Sequence, residues 1–80
     1  MRITKKDLVE KNELINQELI RKGLKWRIAV SFRYDYVAID LKKEGSELVY
    51  DTLVSGLRNS EAWYFLCGMS NTLYLLDKEN

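Results

Sequence analysis

Residues 24–42 decide the predicted fold, and they read LKWRIAVSFRYDYVAIDLK. Apolar side chains alternate with polar or small ones over residues 24–33, and the alternation returns over residues 37–42. Such a period of two is typical of β-strands with one buried face. A two-residue connection at Tyr34-Asp35 would bring both apolar sets to the same face, although type I′ turns prefer Asn-Gly. The resulting register pairs Phe32 with Val37, Val30 with Ile39 and Ile28 with Leu41.

A helix is predicted over residues 5–22, before the hairpin. Thr4 is a suitable N-cap, and Asp7 three residues later suits a capping box. Gly23 is a natural residue for the position after the helix, so we expect Leu24 to complete a Schellman motif. The helix carries an apolar stripe for the core, formed by Leu8, Ile15 and Leu19 and widened by Val9, Leu14 and Ile20.

Two more elements are predicted after the hairpin. Residues 47–54 are rich in Leu, Val, Tyr and Thr and indicate a third strand, whose facing the pattern leaves ambiguous. A second helix should begin between Leu57 and Glu61 and end near Asp77. Its core stripe is formed by Ala62, Phe65, Leu66, Met69, Leu73 and Leu76.

The order α-β-β-β-α predicts one small α+β domain over residues 1–80. Because neither helix can leave its apolar stripe in water, both should cover one face of a three-stranded antiparallel meander, which makes a two-layer sandwich. The other sheet face is then open to solvent. A hydrophobic content of 46% with a net charge of +1 excludes a disordered chain.

The composition argues against an enzyme, a cofactor protein or a metal protein. Histidine is absent and Cys67 is the one cysteine, so the usual general bases and zinc ligands are missing. The four glycines are dispersed and form no phosphate-binding loop. The carboxylates of the central segment are scattered with no recognisable catalytic pair: Asp35, Asp40, Glu44, Glu47 and Asp51. We therefore predict no catalytic residue, no cofactor and no metal.

A cytoplasmic protein is expected, with no membrane segment. A single cysteine cannot form an internal disulfide, which suits a reducing compartment. No apolar run reaches the roughly 18 residues that a spanning helix needs, and residues 1–7 lack a signal-peptide core.

The polar face of the hairpin is the first candidate binding surface, with Lys25, Arg27, Arg33, Tyr36 and Lys42. Basic groups beside an aromatic ring can hold a phosphate backbone and stack a base. The alternative is a solvated face on which Asp40 pairs with a basic residue of the next strand, and the small net charge favours it. The α-β-β-β-α order is also similar to that of double-stranded RNA-binding domains. Their lysine pair at the start of the last helix is missing here, where residues 56–61 read GLRNSE.

The second helix is the other candidate surface, because it is apolar on more than one face. On this helix, Trp63, Cys67 and Tyr74 lie to one side of the core stripe, and Tyr64 lies on a further side. Trp63 and Cys67 could pack against the first helix; exposed aromatics would instead anchor a protein partner or a homodimer. Gly68 is unfavourable in a helix interior, so we expect close packing of a neighbour against it.

Residues 56–69, GLRNSEAWYFLCGM, and the hairpin over residues 26–42 resemble small phage and prophage proteins of low-GC Gram-positive bacteria. The resemblance covers about two thirds of the chain. Some small phage domains of this size and α/β make-up are anti-CRISPR proteins, which block a Cas nuclease by binding it. Many of those are strongly acidic DNA mimics, whereas this chain is not, so the resemblance implies inhibition through a protein surface.

The leading prediction is a non-enzymatic phage or prophage accessory protein, acting in the cytoplasm of the host bacterium. It would bind a host macromolecule, with a Cas nuclease or its nucleoprotein complex as the partner that the resemblance implies. The alternatives are a nucleic-acid-binding domain that uses the basic sheet face and a structural homodimer. The predicted partner-binding residues are Arg27, Arg33, Tyr34, Tyr36, Trp63 and Tyr64.

Overall fold

The computed structural model describes residues 2–79 and has the predicted order α-β-β-β-α. The three strands form one antiparallel sheet in the order β1-β2-β3, and both helices share one core with it, as predicted. In chain order the elements are α1 (Lys5–Arg21), β1 (Trp26–Arg33), β2 (Tyr36–Lys43), β3 (Asp51–Leu57) and α2 (Asn59–Glu79).

Both ends of α1 are closed by the predicted motifs. The Thr4 hydroxyl accepts from the Asp7 N–H at 3.2 Å, and the Asp7 carboxylate accepts from the Thr4 N–H at 2.9 Å, which completes the capping box. At the other end, the Leu24 N–H donates to the Leu19 carbonyl at 3.0 Å, as in a Schellman motif. Gly23 provides the positive φ, 75°, that this motif requires.

The hairpin has the register that the alternating pattern predicts. Its two-residue turn is formed by Tyr34 and Asp35, and the partners across β1 and β2 include Phe32 with Val37, Val30 with Ile39 and Ile28 with Leu41. The apolar residues of both strands therefore face the helices, and the shared core includes Ile28, Val37 and Ile39.

The third strand lies further along the chain than predicted, at Asp51–Leu57 instead of residues 47–54. Its pairing with β2 is interrupted: Asp40 pairs with Thr52 and Ile39 with Val54, so an extra residue bulges from β3. A second interruption follows before Leu57, where Gly56 adopts a φ of 72°. These bulges break the period of two within β3, and the ambiguous residues Leu48, Val49 and Tyr50 lie before the strand.

The helices run parallel to each other on the sheet. Near their N-terminal ends the Asn59 amide donates to the Ile3 carbonyl at 3.0 Å, and at their C-terminal ends Arg21 pairs with Asp77 at 2.7 Å. The core between helices and sheet is formed by Leu8, Ile15, Leu19, Ile28, Val37, Ile39, Ala62 and Leu66.

The outer edge of β1 is covered by a side chain of α1. The Asn16 amide donates to the Ile28 carbonyl at 2.9 Å and accepts from the Ile28 N–H at 2.8 Å. A side-chain amide thus replaces the neighbouring strand that Ile28 lacks on this side, and both of its partly buried backbone groups are satisfied.

Candidate functional site

The tip of the β1–β2 hairpin presents the most exposed aromatic side chain of the described chain. Tyr34 has a relative exposure of 105% and a φ of 50°, in the left-handed region that bulky residues rarely adopt. Arg33 and Tyr36 pair with each other immediately before and after the turn. Tyr36 is partly exposed, at 37%. The structure therefore brings three of the predicted contact residues together: Arg33, Tyr34 and Tyr36.

A shallow depression of about 200 Å³ lies beside this tip. The ring of Phe32 lies beneath the Lys5 ammonium, 5.3 Å from its centroid, so the base of the hairpin is held against the start of α1. The remaining lining residues are Tyr34, Asp35, Tyr36, Val37 and Asn59. The tip is therefore an exposed aromatic projection on a supported base.

At the other end of the basic sheet face, the cations are paired with carbonyl and carboxylate groups of the same chain. Arg27 donates to the carbonyl oxygens of Trp26 and Leu24, at 2.6 and 2.8 Å, and lies 3.7 Å from Glu44. Lys25 pairs with the same Glu44 at 3.3 Å. Because Arg27 is folded back and lies at the far end of β1 from the turn, the structure does not bring it together with Tyr34.

The centre of this face contains a buried carboxylate. Asp40 is fully buried and accepts from the Ser31 hydroxyl at 2.5 Å and from the Thr52 hydroxyl at 3.0 Å. Arg33 lies 3.5 Å from the same carboxylate, which is the cross-strand pairing that the solvated-face interpretation predicted. The face is thus a hydrogen-bonded polar network rather than an open, uncompensated basic surface, and its centre is less open to solvent than expected.

Trp63 and Tyr64 lie on different sides of α2, about 100° apart as helix geometry requires. Trp63 is half-buried against the core, and the Lys11 ammonium of α1 lies 5.5 Å from its ring centroid. Trp63 therefore packs against the first helix. Tyr64 is 74% exposed on the outer side of α2. The two residues do not form one binding surface.

The outer side of α2 forms an apolar groove of about 480 Å³. Its lining residues are Leu19, Tyr64, Phe65, Gly68, Met69, Thr72 and Leu73. The expectation that a neighbour packs closely against Gly68 is wrong, because a Cβ added there would have no non-local atom within 4 Å. The sequence pattern does not reveal this groove, because Phe65 and Met69 fit the core stripe of α2.

Charged groups join the C-terminal ends of the helices. Hydrogen bonding from Lys22, assisted by the charge of Arg21, lowers the pKa of Asp77. Hydrogen bonding from Arg21 likewise lowers the pKa of Glu18. The pairs that Asp77 makes with Arg21 and Lys22 join the two helix ends at the surface, and Glu18, Arg21 and Asp77 border a cavity of about 360 Å³ there.

Within residues 2–79, no three or more Cys, Asp or Glu side chains gather in a way that could hold a metal ion. In the same part of the chain, neither helix is long and apolar enough to cross a membrane.

Comparison with known proteins adds no relative: no family model, no curated protein and no solved structure matches this chain.

Proposed function

We propose that the chain is a non-enzymatic phage or prophage accessory protein that binds a host protein through the tip of its β1–β2 hairpin. The observation that carries this proposal is Tyr34, which is both strained and fully exposed. The partner that we propose is a Cas nuclease, alone or in its nucleoprotein complex, met in the cytoplasm of the host bacterium. The resemblance of residues 56–69 and of the hairpin to small phage proteins supports this choice.

The strain at Tyr34 favours a binding role for the ring. A bulky residue at positive φ destabilises the free protein, and a residue that is exposed at 105% regains nothing by intramolecular burial. Gly would fit this position of the turn without strain. A tyrosine in such a position is accounted for by a contact that forms only with a partner, and tyrosine is among the residues that dominate interface energetics.

The neighbours of Tyr34 suit a protein surface. The Arg33 side chain is 43% exposed although it lies near Asp40, so it can extend one hydrogen-bonding group outward. Tyr36 adds a partly exposed ring on the adjoining strand. An aromatic centre with one arginine and a second aromatic is typical of the core of a protein interface.

The rival proposal of nucleic-acid binding by the sheet face has less support. Glu44 and Asp40 lie within ion-pair distance of Lys25, Arg27 and Arg33, so these cations carry less uncompensated charge toward a phosphate backbone. Nucleic-acid binding by the sheet face predicts steeply salt-dependent binding that is weaker in the Arg27→Ala variant.

The experiment is an inhibition and binding assay with purified Cas nuclease–guide complexes of Gram-positive bacteria. The wild-type chain should bind and inhibit one of them, and Tyr34→Ala should lower affinity by about 10-fold or more, as expected for a central aromatic contact. Tyr74→Ala is the matched control, because Tyr74 is also well exposed, at 60%, but lies near the far end of α2.

Equal binding by wild type and Tyr34→Ala would contradict the hairpin-tip proposal, and so would the absence of binding to every complex tested. A mobility shift with bare nucleic acid at low salt, lost in Arg27→Ala, would establish the rival instead.

A further inference from the structure

The outer side of α2 carries a second apolar stripe, distinct from the one that faces the core. Phe65, Gly68, Thr72 and Leu75 follow one another at spacings of three, four and three residues. This alternation is the heptad spacing by which two helices pack side by side. We call these four residues the outer seam. The core-facing stripe of the same helix passes instead through the fully buried Ala62 and Leu66.

Gly68, Thr72 and Leu75 of the outer seam are exposed, whereas Phe65 is partly buried against the core. Leu75 is 62% exposed, and Tyr64, which borders the groove, is 74% exposed. Gly68 forms the low point of the seam, since a Cβ there would meet no non-local atom within 4 Å. A mid-helix glycine destabilises a helix relative to alanine, and no neighbour among the described residues compensates for this by packing closely against the Cβ position of Gly68. Its absent side chain would allow a second helix to approach closely.

The one polar side chain of the outer seam can be buried without an unsatisfied group. The Thr72 hydroxyl already donates to the Gly68 carbonyl at 2.9 Å within the same helix. Covering Thr72 therefore leaves its donor paired, and the desolvation penalty of an unpaired hydroxyl is avoided. Since the four seam residues carry no charge, an uncharged helix face is the complementary surface.

We propose that the outer seam binds a second copy of this chain, with the two α2 helices antiparallel and the two-fold axis near position 70. In this register Gly68 of one copy lies opposite Thr72 of the other, and Phe65 lies opposite Leu75. Small residues meet at the centre and large residues at both ends, so one patch is complementary to itself, as a two-fold interface requires. The antiparallel arrangement also places the helix dipoles favourably.

The available area sets the expected strength of this dimer. The 21 residues of α2 span about 31 Å, and Tyr64 alone exposes on the order of 150 Å². One side of such a helix can bury on the order of 500–600 Å² per copy. This lies at the low end of specific interfaces, for which a dissociation constant on the order of 10 μM is reasonable.

The test is sedimentation equilibrium of the full chain from about 1 μM to about 1 mM, a range that brackets the expected constant. Wild type should change from monomer to dimer across this range. Gly68→Lys places a charged chain at the centre of the seam and should weaken association by 30-fold or more, on the order expected for a buried unpaired charge. Gln17→Lys adds the same charge to the exposed surface of α1 and should leave association unchanged.

Thermal unfolding at low concentration separates loss of the dimer from loss of the fold. Gly68 is exposed in the monomer and its Cβ position is open, so Gly68→Lys should raise the midpoint by about 2–8 °C. The variant is thus expected to be more stable as a monomer and poorer as a dimer. A variant that dimerises as wild type does would overturn the proposal, as would one that fails to reach the wild-type midpoint.

Two other outcomes would also overturn it. If the wild-type chain stays monomeric up to about 1 mM, the outer seam does not bind a second copy, and a helix of another protein becomes the candidate occupant of the groove. Amide chemical shifts that change on dilution at residues 33–36 instead of along α2 would place self-association at the hairpin. Because the dimer does not require Tyr34, Tyr34→Ala should self-associate normally, so failure of the dimer and failure of the hairpin-tip function are distinguishable.

Discussion

Replacing Tyr34 by glycine should stabilise the protein, although most substitutions are destabilising. The reason is its backbone: a φ of 50° places a bulky side chain in the left-handed region, which costs an L-residue about 1–2 kcal/mol. Glycine has no such penalty but adds about 0.5–1 kcal/mol of backbone entropy to the unfolded chain. Since Tyr34 is exposed at 105%, truncation forfeits no burial. Tyr34→Gly should therefore raise the free energy of unfolding by about 0.5–1 kcal/mol.

Two further substitutions separate strain from side-chain effects. Tyr34→Asn should also stabilise, because Asn tolerates a positive φ better than a bulky residue does. Tyr34→Ala removes the ring but keeps the strained backbone, so its free energy of unfolding should remain within about 0.5 kcal/mol of wild type, as for an exposed substitution.

Urea denaturation followed by circular dichroism measures all three. With a slope of about 1–2 kcal/mol/M for a domain of this size, the Gly and Asn midpoints should rise by about 0.3–1 M. A domain of 80 residues has a total stability of roughly 4–12 kcal/mol, so such a change is well resolved. If neither variant is more stable than Tyr34→Ala, the strain argument fails, and with it the main support for a binding role of Tyr34.

Three further predictions concern the polar contacts. Asp40→Ala removes the buried acceptor of Ser31 and Thr52 and should destabilise by about 2–4 kcal/mol in urea melts, whereas the nearly isosteric Asp40→Asn should lose about half as much; an Asp40→Asn variant as stable as wild type would show that only side-chain volume matters. Asn16→Ala leaves both partly buried backbone groups of Ile28 unpaired and should destabilise by about 1–3 kcal/mol, with faster amide exchange at Ile28 as the local signature. The third is a pH effect, because hydrogen bonds lower the folded-state pKa of Asp7, Glu18 and Asp77. The stabilisation that these carboxylates provide is complete above their unfolded-state pKa values near 4, and it is lost as the pH falls through their folded-state pKa values. The thermal midpoint should therefore drop below about pH 4, and it should drop less in Asp77→Asn; an equal drop in that variant would contradict the role of the helix-end charges.

The hairpin and α1 were predictable because their signals are local. The period of two in residues 24–42 specifies the register, and Thr4, Asp7 and Gly23 identify the helix ends by their capping chemistry. The position of β3 was mispredicted because its bulges break the alternation on which a strand prediction depends. Leu48, Val49 and Tyr50 look like strand residues but lie in an exposed loop.

The candidate site was predictable only in part, because charge compensation joins residues distant in the chain. The sequence alone suggests that Arg27 and Lys25 are free to bind a partner, but in the folded protein Glu44 lies beside both. The separation of Trp63 from Tyr64 could have been predicted, since adjacent residues of a helix face different directions. The strain at Tyr34 could not, because the sequence shows an unfavoured turn residue without showing which backbone conformation it adopts.

The side-chain amide on β1 and the bulges of β3 together determine how this small protein can assemble. A sheet normally grows by offering an unpaired ladder of N–H and C=O groups to another chain, which is also the route to fibrils. Here Asn16 occupies one border at Ile28, and irregular spacing disrupts the other border along β3. Addition of a further strand is therefore obstructed at Ile28 on one border and at the bulges on the other. Strand-to-strand association is disfavoured at these positions, so the helices and the hairpin tip are the surfaces better suited to association.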